Sequence, residues 1–458
     1  MSSDAEKREK MLNEPVQLLV CKMAVPTIIS MLISALYNMA DTYFVGQLDT
    51  NSTAAVGLAL PLMNVIQAIG FFFGHGSGNY MSRKLGEGDN VASQKMADTA
   101  VLLSIVFAAI MAAAGAVFLN PLVKLLGATP LLIEDGRKYV SILLIGIPFI
   151  MASFTINNQL RFQGRAYLGM IGMAGGSVLN VILDPIFIYG LDMGVIGAAL
   201  ATVISQIASF IALMAISGRI PFRKPVLSFS AEIIGAILRY GTPSLFRQGM
   251  IGIAAICLNN VAKGFGEPVI AAITVVNKIT MVGASIVIGF GQGFQPVCGF
   301  NSGAGRYDRV YRTFAFCLKA STAFIAVYGA VVYAFAGQLI AVFRDDPEVI
   351  APGIPLLKYQ CVTGVFQGII IMTNMIMQNM GKTLQSSVLA VARQGLFFIP
   401  LVYLLSGILE LTGLQITQSC ADILTVLITI PMTVYTLKTL KRLMNEGAFK
   451  APPEIPSE

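Results

Sequence analysis

Stretches of twenty or more residues with almost no charge recur along this chain, separated by short segments rich in charge, glycine or proline. The first, Pro26 to Gly46, carries one charged side chain, Asp41. A run of that length crosses the hydrocarbon core of a bilayer as a helix. In lipid only a helix or a closed barrel satisfies its own backbone, so the repetition of such runs fixes the fold class. Of the 458 residues 55% are hydrophobic and only 12% charged, whereas about a quarter would be charged in a soluble domain. The chain is predicted to be an all-α polytopic membrane protein in contact with the lipid bilayer.

Twelve spans are expected, near 16–45, 53–80, 96–119, 136–160, 166–190, 195–217, 233–262, 268–297, 310–336, 350–378, 386–406 and 415–437. With the N-terminus cytoplasmic, 20 of the 31 Lys and Arg residues fall on cytoplasmic segments and five on outer loops. The positive-inside rule then places both termini in the cytoplasm. The net charge of +7 follows from this topology, with no nucleic acid as partner. The polar first 14 residues lack the design of a signal peptide and are expected to remain. Six cysteines without a CxxC pair read as core thiols.

Residues 218–232, with three basic residues and two prolines, divide the spans six and six. A shift of 217 positions without a gap pairs Pro26 with Pro243, Gly74-His75-Gly76 with Gly291-Gln292-Gly293, Gly86 and Gly88 with Gly303 and Gly305, and Gly164-Arg165 with Gly381-Lys382. An even number of spans per copy orients both copies alike, about an axis along the membrane normal. The expected organisation is a cytoplasmic tail (1–15), an N-lobe (16–217), a linker (218–232), a C-lobe (233–437) and a second cytoplasmic tail (438–458).

Acids within membrane spans point to function. Asp41 lies 19 residues beyond Lys22, and Asp184 lies 19 beyond Arg165. At about 1.5 Å per residue each carboxylate stands roughly 28 Å from its basic anchor, so the two share a depth. Asn180 precedes Asp184 by four residues on the same helix face. Thr202 enters on the next span, and Tyr139 one span earlier. These oxygens suit a hard cation such as Na⁺. Equally, repulsion and desolvation would let one carboxylate carry a proton. As a purely structural alternative, both acids would cap neighbouring helix ends.

The runs Ala40–Leu48 (ADTYFVGQL) and AAVGLALPL, the GxGSG…RKLGEGD segment from Gly74 to Asp89, and their echo from Asn277 to Gly305 resemble the MATE multidrug and toxic compound extrusion family. The resemblance extends from about Val16 to Leu440. It implies that Asp41, Asn180, Asp184 and Thr202 form an N-lobe cation site, which would be a metal site if the ion is Na⁺. It also implies that Tyr37, Tyr139, Asn157 and Met173 lie in or beside the substrate cavity.

The second half carries Leu258 and Leu401 at the positions matching Asp41 and Asp184. Its charges are instead Arg247, Lys278, Arg393 and Asp422, read as a structural network or as a cationic patch for an anionic substrate group. His75, the single histidine, reads as a packed neutral ring. The expected function is H⁺- or Na⁺-coupled antiport of amphipathic organic small molecules by alternating access between the lobes. The expected form is a monomer in the cell (inner or plasma) membrane, without a cofactor beyond the transported ion. The alternative is a flippase for a lipid-linked precursor. No HExxH, GxSxG, CxxC or P-loop is present, which argues against an enzyme or an ATP-driven pump.

Overall fold

A computed structural model describes residues 3–46, 56–128, 130, 132–218 and 226–446. The side chains of residues 3–7, 37–43, 45 and 46 lie outside that description. All regular structure among the described residues is helical. In order the helices are α1 (Ser3–Asn13), α2 (Val16–Gly46), α3 (Leu60–Glu87), α4 (Asn90–Val117), α5 (Leu119–Leu125), α6 (Ile133–Phe162), α7 (Ala166–Pro185) and α8 (Gly194–Ile216). There follow α9 (Ala231–Ala262), α10 (Glu267–Gly303), α11 (Tyr307–Ala334), α12 (Ala336–Phe343), α13 (Pro347–Gly364), α14 (Phe366–Asn379), α15 (Thr383–Val391) and α16 (Phe398–Asn445). The protein is an all-α, polytopic membrane protein.

Nine helices among the described residues are long and apolar enough to cross a membrane, ten if α13 and α14, bent by 50° at their junction, count as one span. The run Thr383–Asn445 holds 63 residues. As one straight helix it would reach about 95 Å, three bilayer cores. Glu410, at φ 51°, breaks it. A Cβ on Gly413 would collide with the Leu405 carbonyl, so the chain turns back on itself there. α3, where the second span is expected, runs from Leu60 through Arg83 and Lys84 to Glu87 and is not among these nine.

Turn chemistry reproduces the repeat. Gly88 and Gly305 have φ of 86° and 72°, and Gly164 and Gly381 have φ of 76° and 70°, a region open to glycine and strained for other residues. The same hydrogen bonds close these turns. Arg165 N–H donates to Leu160 O at 2.8 Å and Lys382 N–H to Met377 O at 2.9 Å. Asp89 N–H donates to Lys84 O and Arg306 N–H to Asn301 O, both at 2.8 Å. Each pair is separated by 217 positions.

Packing divides the chain differently from the repeat. One compact unit comprises the described residues of Ile29–Leu85 and Asp89–Gln248. The other comprises those of Met1–Ile28, Gly86–Gly88 and Gly249–Glu458. The boundaries cut α2 just after Pro26 and α9 just after Pro243. Within the first unit, Ile66, Val140, Ile147, Ile150 and Met151 form a close-packed core between α3 and α6. Lipid-facing positions are large and apolar, as at Ile110 and Val117 of α4 and Ile182 of α7.

Candidate functional site

α7 and α8 approach closely because α7 presents glycine where α8 presents serine. A Cβ on Gly176 would lie 2.7 Å from Ser209 Cβ and 3.0 Å from Ser205 O. Ser209 Oγ donates to Gly172 O at 2.9 Å, a small-residue contact with a hydrogen bond across it. At the other end of α7, Pro185 removes a backbone donor. Residues Ile186–Gly190 follow as a π-helical turn. That turn packs directly on the start of α8: a Cβ on Gly197 would lie 2.7 Å from Phe187 O. Such π segments recur at functional sites.

The approach brings three polar residues together away from water. Asn180, Asp184 and Thr202 are buried, with Asp184 at 0% exposure. The Asn180 amide is placed by its neighbours. With nitrogen toward the carboxylate, Nδ2 donates to Asp184 Oδ2 at 2.9 Å, and the amide oxygen accepts from Thr202 N–H at 3.2 Å. The opposite orientation reaches Asp184 Oδ1 and Thr202 Oγ1 only at 3.5 Å. A carboxylate, an amide and a hydroxyl from two helices thus form one cluster of hard oxygen donors. Oxygen ligands of this kind suit a hard cation such as Na⁺, and a carboxylate can equally carry a proton.

Tyr139 of α6 is buried in the apolar cluster beside it, with Ile188, Ala198, Ala199 and Val203. Asn157 of α6 and Met173 of α7 are both half-buried. Asn157 meets α7 at Gly169, fifteen residues or about 22 Å of helix before Asp184, so it stands apart from the carboxylate cluster. Ser209 Oγ contacts Met173 Sδ at 3.9 Å. Tyr37 and Asp41 lie on the α2 backbone, but their side chains fall outside the described residues.

In the second unit Arg393 and Asp422 form an ion pair. Arg393 Nε donates to Asp422 Oδ1 at 2.7 Å and Nη2 to Oδ2 at 3.4 Å, while Gln418 Nε2 adds a bond at 2.8 Å. Asp422 is 1% exposed and the Arg393 side chain 23%. The other two second-half charges do not join this pair. Lys278 is half-buried on α10 and makes no hydrogen bond or ion pair among the described residues. Arg247, on α9, belongs to the first unit.

Arg161, a base near the end of its span, is buried. Its Nη2 donates to Asn158 Oδ1 at 2.6 Å and lies 2.9 Å from His75 Nε2. The available signal was its spacing: Asn158 precedes it by three residues, one helical turn. The contact with His75, 86 residues away, left no local pattern to read.

The MatE family matches residues 26–186 and again 243–404. The two matches begin at Pro26 and Pro243, 217 positions apart, and together span more than half of the chain. The chain belongs to the MatE family. The chain is similar to the multidrug export protein MepA of Staphylococcus saprophyticus, at 27% identity over 85% of this chain and 87% of the relative. MepA of Staphylococcus aureus strain MRSA252 is 26% identical over 87% of this chain and 89% of its own length. Among solved structures, a MATE transporter in complex with MaD3S superposes with TM-score 0.88 at 27% identity, covering 94% of this chain and 98% of the other. A MOP superfamily transporter from Pyrococcus furiosus, whose binding pocket is described as reversed in polarity with a different function suggested, superposes at 0.87 with 26% identity. It covers 94% of this chain and 98% of its own.

Proposed function

We propose that this MatE transporter exports amphipathic organic compounds by alternating access, driven by H⁺ or Na⁺ that enters through the Asn180–Asp184–Thr202 cluster. The observation that carries the reading is the fully buried Asp184 met by the Asn180 amide, which Thr202 in turn holds. A carboxylate at membrane depth is costly as a bare charge. An arriving cation would neutralise it, and the binding free energy would become available to favour one conformation over another.

Asn180 supplies a local switch for this step. With nitrogen toward Asp184 the amide stands in for part of a cation by donating a hydrogen bond. Turned over, it would offer its carbonyl oxygen as a third ligand beside the carboxylate and Thr202 Oγ1. The proline and π turn following Asp184 give the helix a place to adjust when the charge is neutralised. The similarity to MepA proteins supports drug-like organic substrates, and the family resemblance supports Asp41 as the second acid of the site. We also propose that both termini face the cytoplasm and that a monomer suffices. A flippase for a lipid-linked anion would draw on the second-half cations, and Arg393 is committed to Asp422.

Dye efflux from proteoliposomes with Na⁺ and pH gradients imposed separately tests the reading. One gradient is expected to drive efflux in the wild-type protein and neither in Asp184→Asn. Gradient-driven efflux by Asp184→Asn at the wild-type rate would refute it.

A further inference from the structure

The N-terminal part of α9, residues 231–248, packs antiparallel on α3 within the first unit, and polar ties fasten it almost turn by turn. Tyr80 Oη donates to Glu232 Oε1 at 2.8 Å, and Arg83 Nη1 to Tyr240 Oη at 3.2 Å. Gln248 Nε2 donates to Gln67 Oε1 at 3.4 Å. Between these ties, Gly76 lets the backbones touch, since a Cβ there would lie 2.7 Å from Ile237 O.

At the centre of the seam stands His75, at 0% exposure. Phe71 stacks on its ring at 5.1 Å and Phe162 meets it edge-on at 6.0 Å. A guanidinium only donates, so His75 Nε2, 2.9 Å from Arg161 Nη2, is the acceptor. The ring proton therefore sits on Nδ1 and donates to Ser244 Oγ at 2.9 Å. Arg161 on α6 thereby fixes the tautomer, and the tautomer joins α3 to α9 one residue past Pro243.

The repeat supplies the control. The corresponding stretch of α2, residues 16–28, packs on α10 within the second unit. There the backbones approach at glycines: a Cβ on Gly293 would lie 2.8 Å from Ala24 Cβ, and one on Gly289 would lie 2.9 Å from Ile28 Cα. Thr27, at the place of Ser244, spends its hydroxyl on Met23 O of its own helix at 2.9 Å. Gln292 stands at the place of His75, and Gln378 at that of Arg161.

We propose that His75, held as its neutral Nδ1–H tautomer by Arg161, is a positioning residue that makes residues 231–248 of α9 a fixed strut of the first unit. The strut keeps one position on α3 whatever the state of the cation cluster. The device is specific to one half because the histidine, the arginine and the serine are each replaced in the other.

Double electron–electron resonance in nanodiscs tests this directly. Spin labels are placed at Leu238→Cys of α9 and Val106→Cys of α4, both lipid-exposed and both in the first unit, in a cysteine-free background. The wild-type sequence is expected to give one narrow distance that is unchanged when Na⁺ is added or pH is lowered. Ser244→Ala, which leaves Arg161 its partner, and His75→Phe, which keeps the stacking, are expected to broaden it. His75→Gln, able to accept and donate, is expected to restore a narrow distribution. A wild-type distance that shifts with Na⁺ or pH would overturn the proposal, as would a Ser244→Ala distribution as narrow as wild type. The readout does not depend on transport, so it stands apart from any failure of the coupling assignment. Should His75→Phe fail to fold, Ser244→Ala still decides.

Discussion

Two helix crossings related by the 217-residue repeat solve the problem of a membrane acid in opposite ways. At the first, Gly176 of α7 lies against Ser205 and Ser209 of α8, and the acid sits two turns farther along, at Asp184, where Asn180 and Thr202 meet it. At the second, the positions matching Gly176 and Ser205 are Arg393 and Asp422, and these close an ion pair. Asp422 carries its counter-cation covalently, on the same chain. Asp184 is met by an amide that can present either end. A resident guanidinium makes a charge pair permanent, whereas an amide leaves room for a cation that comes and goes. The duplication has thus kept the helix crossing and reassigned the charge, and under the proposed function coupling belongs to one half.

This contrast can be broken at four points. The largest effect is expected for Asp184→Asn, which should reduce cation-driven dye efflux to background while the melting temperature in detergent stays near wild type. Loss of the fold instead would mark Asp184 as a structural cap.

Next is Asp422→Asn, which strands Arg393. Breaking a buried pair costs about 3–5 kcal/mol, and the partial exposure of Arg393 brings this to roughly 2–3 kcal/mol. The double change Arg393→Met with Asp422→Leu removes both charges and should stay within about 1 kcal/mol of wild type. Thermal unfolding of the three proteins measures the difference, and a double variant as damaged as the single one would give the pair a role beyond structure.

Gly176→Ala should cost about 1–2 kcal/mol by wedging α7 from α8. Gly175→Ala, with nothing within 4 Å of its new methyl, should be neutral or stabilising by up to about 1 kcal/mol. Equal melting temperatures would show that the close approach is not what builds the site.

The smallest effect is assigned to Thr202→Val. Losing one neutral oxygen ligand is worth about 1 kcal/mol. The half-saturating cation concentration for efflux should rise about fivefold, with the maximal rate retained. No change would remove Thr202 from the ligand set.

Local pattern carried much of this into view from sequence. Asn180 and Asp184 were paired by helical spacing, and the span Ala166–Gly190 was delimited by its charged and glycine-rich flanks. The Arg393–Asp422 pair was foreseeable because two opposite charges in apolar spans have few other partners. What stayed hidden depends on tertiary packing. Arg161 reads as one more base at the end of a span, and only the fold turns it inward to His75. The π turn after Pro185 looks like ordinary helix in composition. The assignment of residues 16–28 and 231–248 to units other than those of their sequence neighbours leaves no local trace, since Pro26 and Pro243 mark a bend without saying what each segment packs on. The second acid of the proposed site, Asp41, was legible as a charge in an apolar run, and its side chain lies outside the described residues.

The proposed function assigns the coupling cation to Asp184 and not to Asp422. Equilibrium binding of radioactive Na⁺ to purified protein, paired with measurement of proton release on the same samples, tests it most directly. The expected result is saturable cation binding, as Na⁺ or as H⁺, in wild type and in the Arg393→Met/Asp422→Leu variant, and its loss in Asp184→Asn. Retained binding in folded Asp184→Asn, or loss in the double variant, would contradict that assignment.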